Sequence, residues 1–127
     1  MNRMTHPLAT ARGHGSARTG LHHWLGQRVT ALLLVFLVPW LLYALVCNVG
    51  ASHAEVTSFV ARPWNATLLI LSLLVLLYHG MLGLQMVIED YVHRRALELA
   101  LHFSVRAATM LGAVFGVILV MQLAVGH

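Results

Sequence analysis

The chain has no lysine, one cysteine and four acidic residues among 127. A single cysteine, Cys47, excludes an intramolecular disulfide and any four-cysteine iron–sulfur or zinc site; it reads most simply as a small apolar residue near a membrane face. No Gly-x-Gly-x-x-Gly or phosphate-loop pattern occurs, so standard flavin and nucleotide sites are missing as well. Charge of either sign is scarce. Charged residues make up 9% of the chain and apolar ones 59%, against about 25% and about 45–50% in an average soluble domain. Mean hydropathy is +0.78. A soluble domain this small leaves much of its surface exposed and could not hide so much apolar area. Lipid is the expected solvent.

What charge there is carries information. The net charge is +4 with a pI near 10.2, a balance that in a soluble domain would raise nucleic-acid binding. Here the basic residues are all arginines, spread through the N-terminal tail and the connections without a dense patch, so they read as membrane flanks and topology signals. No nucleic-acid partner is expected.

Residues 1–28 form a polar N-terminal segment with Arg3, Arg12, Arg18 and Arg28 and no acid. The rest, 29–127, is expected to be an all-α membrane domain with three spans, at about 29–49, 64–88 and 107–125. At about 1.5 Å rise per residue, some 20 apolar residues cross the hydrocarbon core. Residues 29–49 are too long and too far from the N-terminus for a secretory signal core, and Pro39 lies mid-span. Residues 50–63 read as a short polar link; 96–106 read as an interfacial extension of the third helix. Four arginines in the tail and three in 89–106 outnumber the lone Arg62 of the first connection. The positive-inside rule therefore puts the N-terminus and 89–106 in the cytoplasm and His127 outside. A three-helix bundle this small is expected to be one subunit of a larger assembly.

Eight of the nine histidines are uninformative by position. His6, His14 and His127 lie in tails, and His53, His93 and His102 in or beside connections. His22 and His23 stand with Trp24 and Arg28 just before the first span, where an interfacial anchor cluster is the plainest reading. His79 differs, being deep inside the second span, where an ionisable group is costly and seldom idle. Two roles are open to it: a hydrogen bond to a neighbouring helix, or metal ligation, for which neutral imidazole is a common donor to haem. At about 100° per residue, Ser72, Val75, His79, Gly83, Met86 and Asp90 share one stripe. With Gly80 and Gly83 beside His79, that stripe favours a face turned to a cofactor. Neither of the other spans contains a histidine; Met86, Met110 or Met121 could serve but nothing singles them out, so a second axial histidine should come from another chain. Asp90 and Tyr91 close the helix; such residues often end membrane helices, though a carboxylate and a phenol there could also serve a quinone carbonyl.

Two segments resemble the D-type hydrophobic anchor subunit of succinate dehydrogenase (succinate:ubiquinone oxidoreductase, respiratory complex II). One is Ser16-Ala17-Arg18-Thr19-Gly20-Leu21-His22-His23-Trp24 with Gln27-Arg28-Val29-Thr30-Ala31. The other, more specific, runs His79-Gly80-Met81-Leu82-Gly83-Leu84-Gln85-Met86-Val87-Ile88-Glu89-Asp90-Tyr91-Val92. The resemblance implies haem b shared with a C-type cytochrome b anchor subunit, with His79 as one axial ligand of the iron. It implies ubiquinone as substrate at Asp90 and Tyr91, and a haem-propionate side at His22 and Arg28, with His23 adjacent. Further partners would be an iron–sulfur subunit and a flavoprotein subunit, in a bacterial cytoplasmic membrane. The chain would then be a non-catalytic part of the electron path from succinate. A fumarate reductase anchor would run the same parts in reverse; a non-redox scaffold or small transporter would keep the bundle and lack the cofactor.

Overall fold

The computed structural model describes residues 17–125. Arg3, Arg12, His6, His14 and His127 lie outside them. Four helices follow in order: α1 (Ala17–Cys47), α2 (His53–Val60), α3 (Pro63–Tyr91) and α4 (Arg95–Val125). Three of them, α1 from Gly20 onward, α3 and α4, are long and apolar enough to cross a membrane. The expected all-α class with three spans holds.

The helix ends differ from the expected spans for local reasons. The chain is already helical at Ala17, well before the apolar run, so the polar stretch up to Arg28 belongs to α1. Pro39 is contained within this helix. Beyond Cys47 the chain turns at Gly50, whose φ of 76° suits a residue without Cβ. The link 50–63 is not plain coil, because eight of its residues form α2. Ser52 and Glu55 start α2 with a capping box: the Ser52 N–H donates to Glu55 Oε2 at 2.7 Å, and the Glu55 N–H to Ser52 Oγ at 3.4 Å. The Ser52 N–H, and the Ser52 hydroxyl donating to the same Oε2 at 2.8 Å, favour the ionised carboxylate and hold the Glu55 carboxyl below its ordinary range. Pro63 then opens α3 at a position where its missing N–H costs nothing. As expected, 96–106 is continuous with the third span.

The central helix α3 packs against α1 on one side and α4 on the other, while α1 and α4 make no backbone approach within 8 Å. The spans form a row. Glycines set the close contacts: a Cβ on Gly26 of α1 would lie 3.2 Å from Leu82 Cδ1, and one on Gly116 of α4 would overlap Leu73. Such small residues are how membrane helices approach when lipid supplies no hydrophobic drive between them. Few apolar side chains are buried, namely Leu37, Ala44, Val60, Val75, Leu82 and Ile88, and none belongs to α4. The remaining apolar surface, including Phe36, Leu111 and Phe115, faces outward, as lipid contact requires.

Candidate functional site

The direction in which α3 is buried rotates along its length. Its buried residues are Ser72, Val75, Leu82, Gln85 and Ile88. At about 100° per residue these point progressively further round the helix, so that Ile88 faces about 160° away from Asp90. The stripe of Ser72, Val75, His79, Gly83, Met86 and Asp90 therefore starts in the packed core and ends in the open. Ser72 and Val75 are buried, His79 and Gly83 half-buried, Met86 and Asp90 exposed. Tyr91 is 78% exposed. The neighbouring helices cover this face at one end and abandon it at the other.

His79 stands where cover gives way. Its Nδ1 lies 2.9 Å from Thr30 Oγ1 and its Nε2 lies 3.4 Å from Gln27 Nε2, both on α1. No carboxylate pairs with it; among the described residues the one histidine–acid contact is His102 with Glu89, at 3.7 Å. Gly83, one turn on, faces the same Gln27 side chain, and Gly80 faces open space.

From this point a cleft of about 690 Å³ opens toward the arginine-bearing end of the row, lined by His23, Gln27, Arg28, Gln85, Glu89 and Arg106 among others. Arg28 lies over the Trp24 ring, 5.3 Å from its centroid, a contact worth about 0.5–1 kcal/mol when exposed. Three polar atoms on the cleft-lining residues, His23 Nε2, Gln27 Oε1 and Gln85 Nε2, are buried with no hydrogen-bond partner. Each such group costs about 1–3 kcal/mol if left unmet. Together they describe a site whose polar partners lie outside the described residues.

The sequence-derived residues do not form one cluster. His79 and Arg28 lie along the α1–α3 face, and His23 lines the cleft with Arg28, whereas His22 is exposed and lines none of it. Asp90 and Tyr91 sit beyond the cleft at the end of α3. Among the described residues, no group of three or more histidine, cysteine, aspartate or glutamate side chains converges as a metal site within the chain. Thr30, Gln27 and Gln85 were not anticipated. A usable signal existed: each is an uncharged polar residue in or beside an apolar span, where polar groups need partners.

Comparison with known proteins agrees with this layout. The profile of the family described as "Succinate dehydrogenase/Fumarate reductase transmembrane subunit" matches residues 2–123. The chain is 38% identical over 104 residues to a succinate dehydrogenase hydrophobic membrane anchor subunit of Rickettsia bellii, covering 82% of this chain and 83% of that one. A protein of the same description from Rickettsia conorii is 37% identical over 86 residues, 67% of this chain and 68% of its own. Another from Paracoccus denitrificans is 29% identical over 99 residues, 78% and 77% respectively. With three membrane-length helices and a match over nearly its whole length, the chain belongs to the succinate dehydrogenase/fumarate reductase transmembrane subunit family.

Proposed function

We propose that this membrane subunit anchors a succinate dehydrogenase, binds haem b jointly with a second anchor subunit and contributes to its ubiquinone-reduction site. The observation that carries the reading is the open end of the His79 stripe. A half-buried imidazole, an exposed methionine and an exposed acid lie on a face that this chain's own helices leave uncovered. A partner helix laid there would cover the face and bring a second axial histidine at the depth of His79, where residues 29–47 of α1 and 107–125 of α4 carry none.

The donor set fits haem. His79 offers one imidazole at membrane depth. Arg28 and the unpartnered nitrogens of the cleft, His23 Nε2 and Gln85 Nε2, can donate to the carboxylates of a haem edge. His22 and His23 both neighbour that edge in sequence; the unpartnered Nε2 of His23, in the same cleft as Arg28, favours it over the exposed His22. Bound there, haem supplies a one-electron centre. Asp90 and Tyr91 serve the quinone: the Tyr91 phenol donates a hydrogen bond to a carbonyl oxygen, and Asp90 orients that phenol or relays a proton. Succinate oxidation belongs to a flavoprotein subunit, with an iron–sulfur subunit passing electrons to the membrane. The complex purified through a tag on this chain is expected to show a b-type reduced-minus-oxidised spectrum and to contain these subunits. A spectrum without haem, in a complex that still reduces quinone, would remove the cofactor from the reading.

The same reading places the complex in a bacterial cytoplasmic membrane with the N-terminus and residues 89–106 on the cytoplasmic side, supported by the arginine asymmetry. Reporter fusions after Gly50 and at the C-terminus should both read the outer face. A cytoplasmic signal from the C-terminal fusion contradicts this topology.

A further inference from the structure

Thr30 is buried, 7% exposed, one helix away from His79. Its hydroxyl lies 2.7 Å from the Gly26 carbonyl oxygen, 3.2 Å from that of Gln27 and 2.9 Å from His79 Nδ1. A hydroxyl has a single proton to donate and lone pairs with which to accept. Carbonyl oxygens only accept, so that proton goes to the Gly26 oxygen, the nearer of the two. Toward His79 the Thr30 oxygen can then only accept, and the ring must donate from Nδ1. In a neutral imidazole the lone pair is left on Nε2.

The other side of the ring agrees independently. The atom facing His79 Nε2 is the amide nitrogen of Gln27, a donor, at 3.4 Å. A lone pair is what that donor meets, and at this length the contact is weak and readily given up to a stronger partner. A Cβ placed on Gly83 would lie 3.7 Å from Gln27 Nε2, so the missing side chain leaves the amide room to move.

We propose that Thr30 is the positioning residue for His79, fixing the Nδ1–H tautomer and the ring plane so that Nε2 is presented as a metal-donor atom. The inference rests on the reading of His79 as a haem ligand. The helix makes the arrangement rigid: the Thr30 side chain is pinned to its own i−4 carbonyl, and β-branching restricts its rotamers. Gly26, which supplies that carbonyl, is also a close contact of α1 with α3, where a Cβ would meet Leu82 and Tyr78. The acceptor is therefore held by the helix contact itself. A hydrogen bond accepted from the distal ring nitrogen raises the basicity of the ligating one, and loss of such partners typically costs about 10–100-fold in metal affinity.

The test uses the assembled complex in detergent, carrying Thr30→Val, Thr30→Ser or His79→Leu. Thr30→Val keeps shape and removes the acceptor. The expected result is a haem midpoint potential shifted upward, since a less basic ligand stabilises the oxidised iron less, with haem retained more weakly by about tenfold or more against an apo-haem-binding competitor. Thr30→Ser, which keeps the hydroxyl, restores the wild-type potential. If Thr30→Val does not assemble, Thr30→Ala removes the same acceptor with less bulk and carries the same expectation. An unchanged potential in Thr30→Val, or equal shifts in the Val and Ser variants, overturns the positioning role. His79→Leu separates this from the underlying reading: if it keeps the b-type spectrum, the ligand assignment fails, and if it loses the spectrum while Thr30→Val is silent, the Thr30 inference alone fails.

Discussion

Replacing His79 with leucine is expected to abolish the b-type absorbance of the complex while leaving the complex assembled. The two halves of that expectation rest on different physics. Leucine has no lone pair, so the axial bond is lost outright. The bundle loses little. Thr30 keeps its bond to the Gly26 carbonyl at 2.7 Å, so its hydroxyl is not orphaned, and the Gln27 contact was already long at 3.4 Å. Leucine is moreover at home in lipid, where an ionisable group is not. Co-purification of the other subunits measures assembly, and a reduced-minus-oxidised spectrum measures haem. An assembled complex with the wild-type spectrum would sink the assignment of His79. A complex that falls apart along with the loss of haem would show instead that the cofactor ties the anchors together. In that case His79→Gln, which keeps a polar side chain but supplies no haem ligand, is expected to fall apart as well; its assembly would show that the polar contact with α1, and not the cofactor, was what leucine removed.

The second large effect is expected at the end of the same helix. Tyr91→Phe removes one hydroxyl and almost nothing else. The side chain is 78% exposed, and among the described residues only its backbone oxygen, which lies 3.2 Å from His93 Nδ1, has a side-chain partner. Among the described residues the hydroxyl therefore supports nothing, and an effect of its loss reports a group outside them. A hydrogen bond to a neutral group contributes about 0.5–1.5 kcal/mol net. If it strengthens as negative charge develops on a quinone oxygen, the loss falls on turnover as well as on binding. Quinone reduction should fall by roughly tenfold or more, since about 1.4 kcal/mol corresponds to tenfold in rate. Succinate oxidation with an artificial acceptor that bypasses the membrane should be unchanged, and so should the haem spectrum. Wild-type quinone kinetics in Tyr91→Phe would falsify the direct contact. Loss of both activities would instead mark Tyr91 as an interfacial anchor needed for assembly.

Hydropathy was enough to read the three spans, because lipid imposes one strong rule: a spanning segment must satisfy its own backbone, and an apolar run of sufficient length does so as a helix. The ends were less legible. Residues 17–28 lack a continuous apolar run, yet the helix extends through them, since adding a residue to an existing helix costs far less than starting one. The link 50–63 hid α2, which depends on a capping box and on two buried residues, Thr57 and Val60. Short helices of this kind derive their stability from such local contacts.

The sequence alone determined that this is a three-span membrane subunit, and it singled out His79, because one histidine deep in an apolar run stands out by cost. The motif around it and Asp90-Tyr91 pointed to the family, which comparison with known proteins then established. What only the tertiary structure decided is which side chains share space with His79. A periodic stripe treats the helix as though it were buried in one constant direction. The real neighbours of α3 diverge from that line, so its packed face rotates from Ser72 to Ile88 and leaves Met86 and Asp90 open. Thr30, Gln27 and Gln85 come from positions on two helices that no spacing rule relates; they meet because Gly26 lets α1 close onto Leu82 and Tyr78. Sequence shows which residues are costly in a membrane, and packing decides which partner meets that cost.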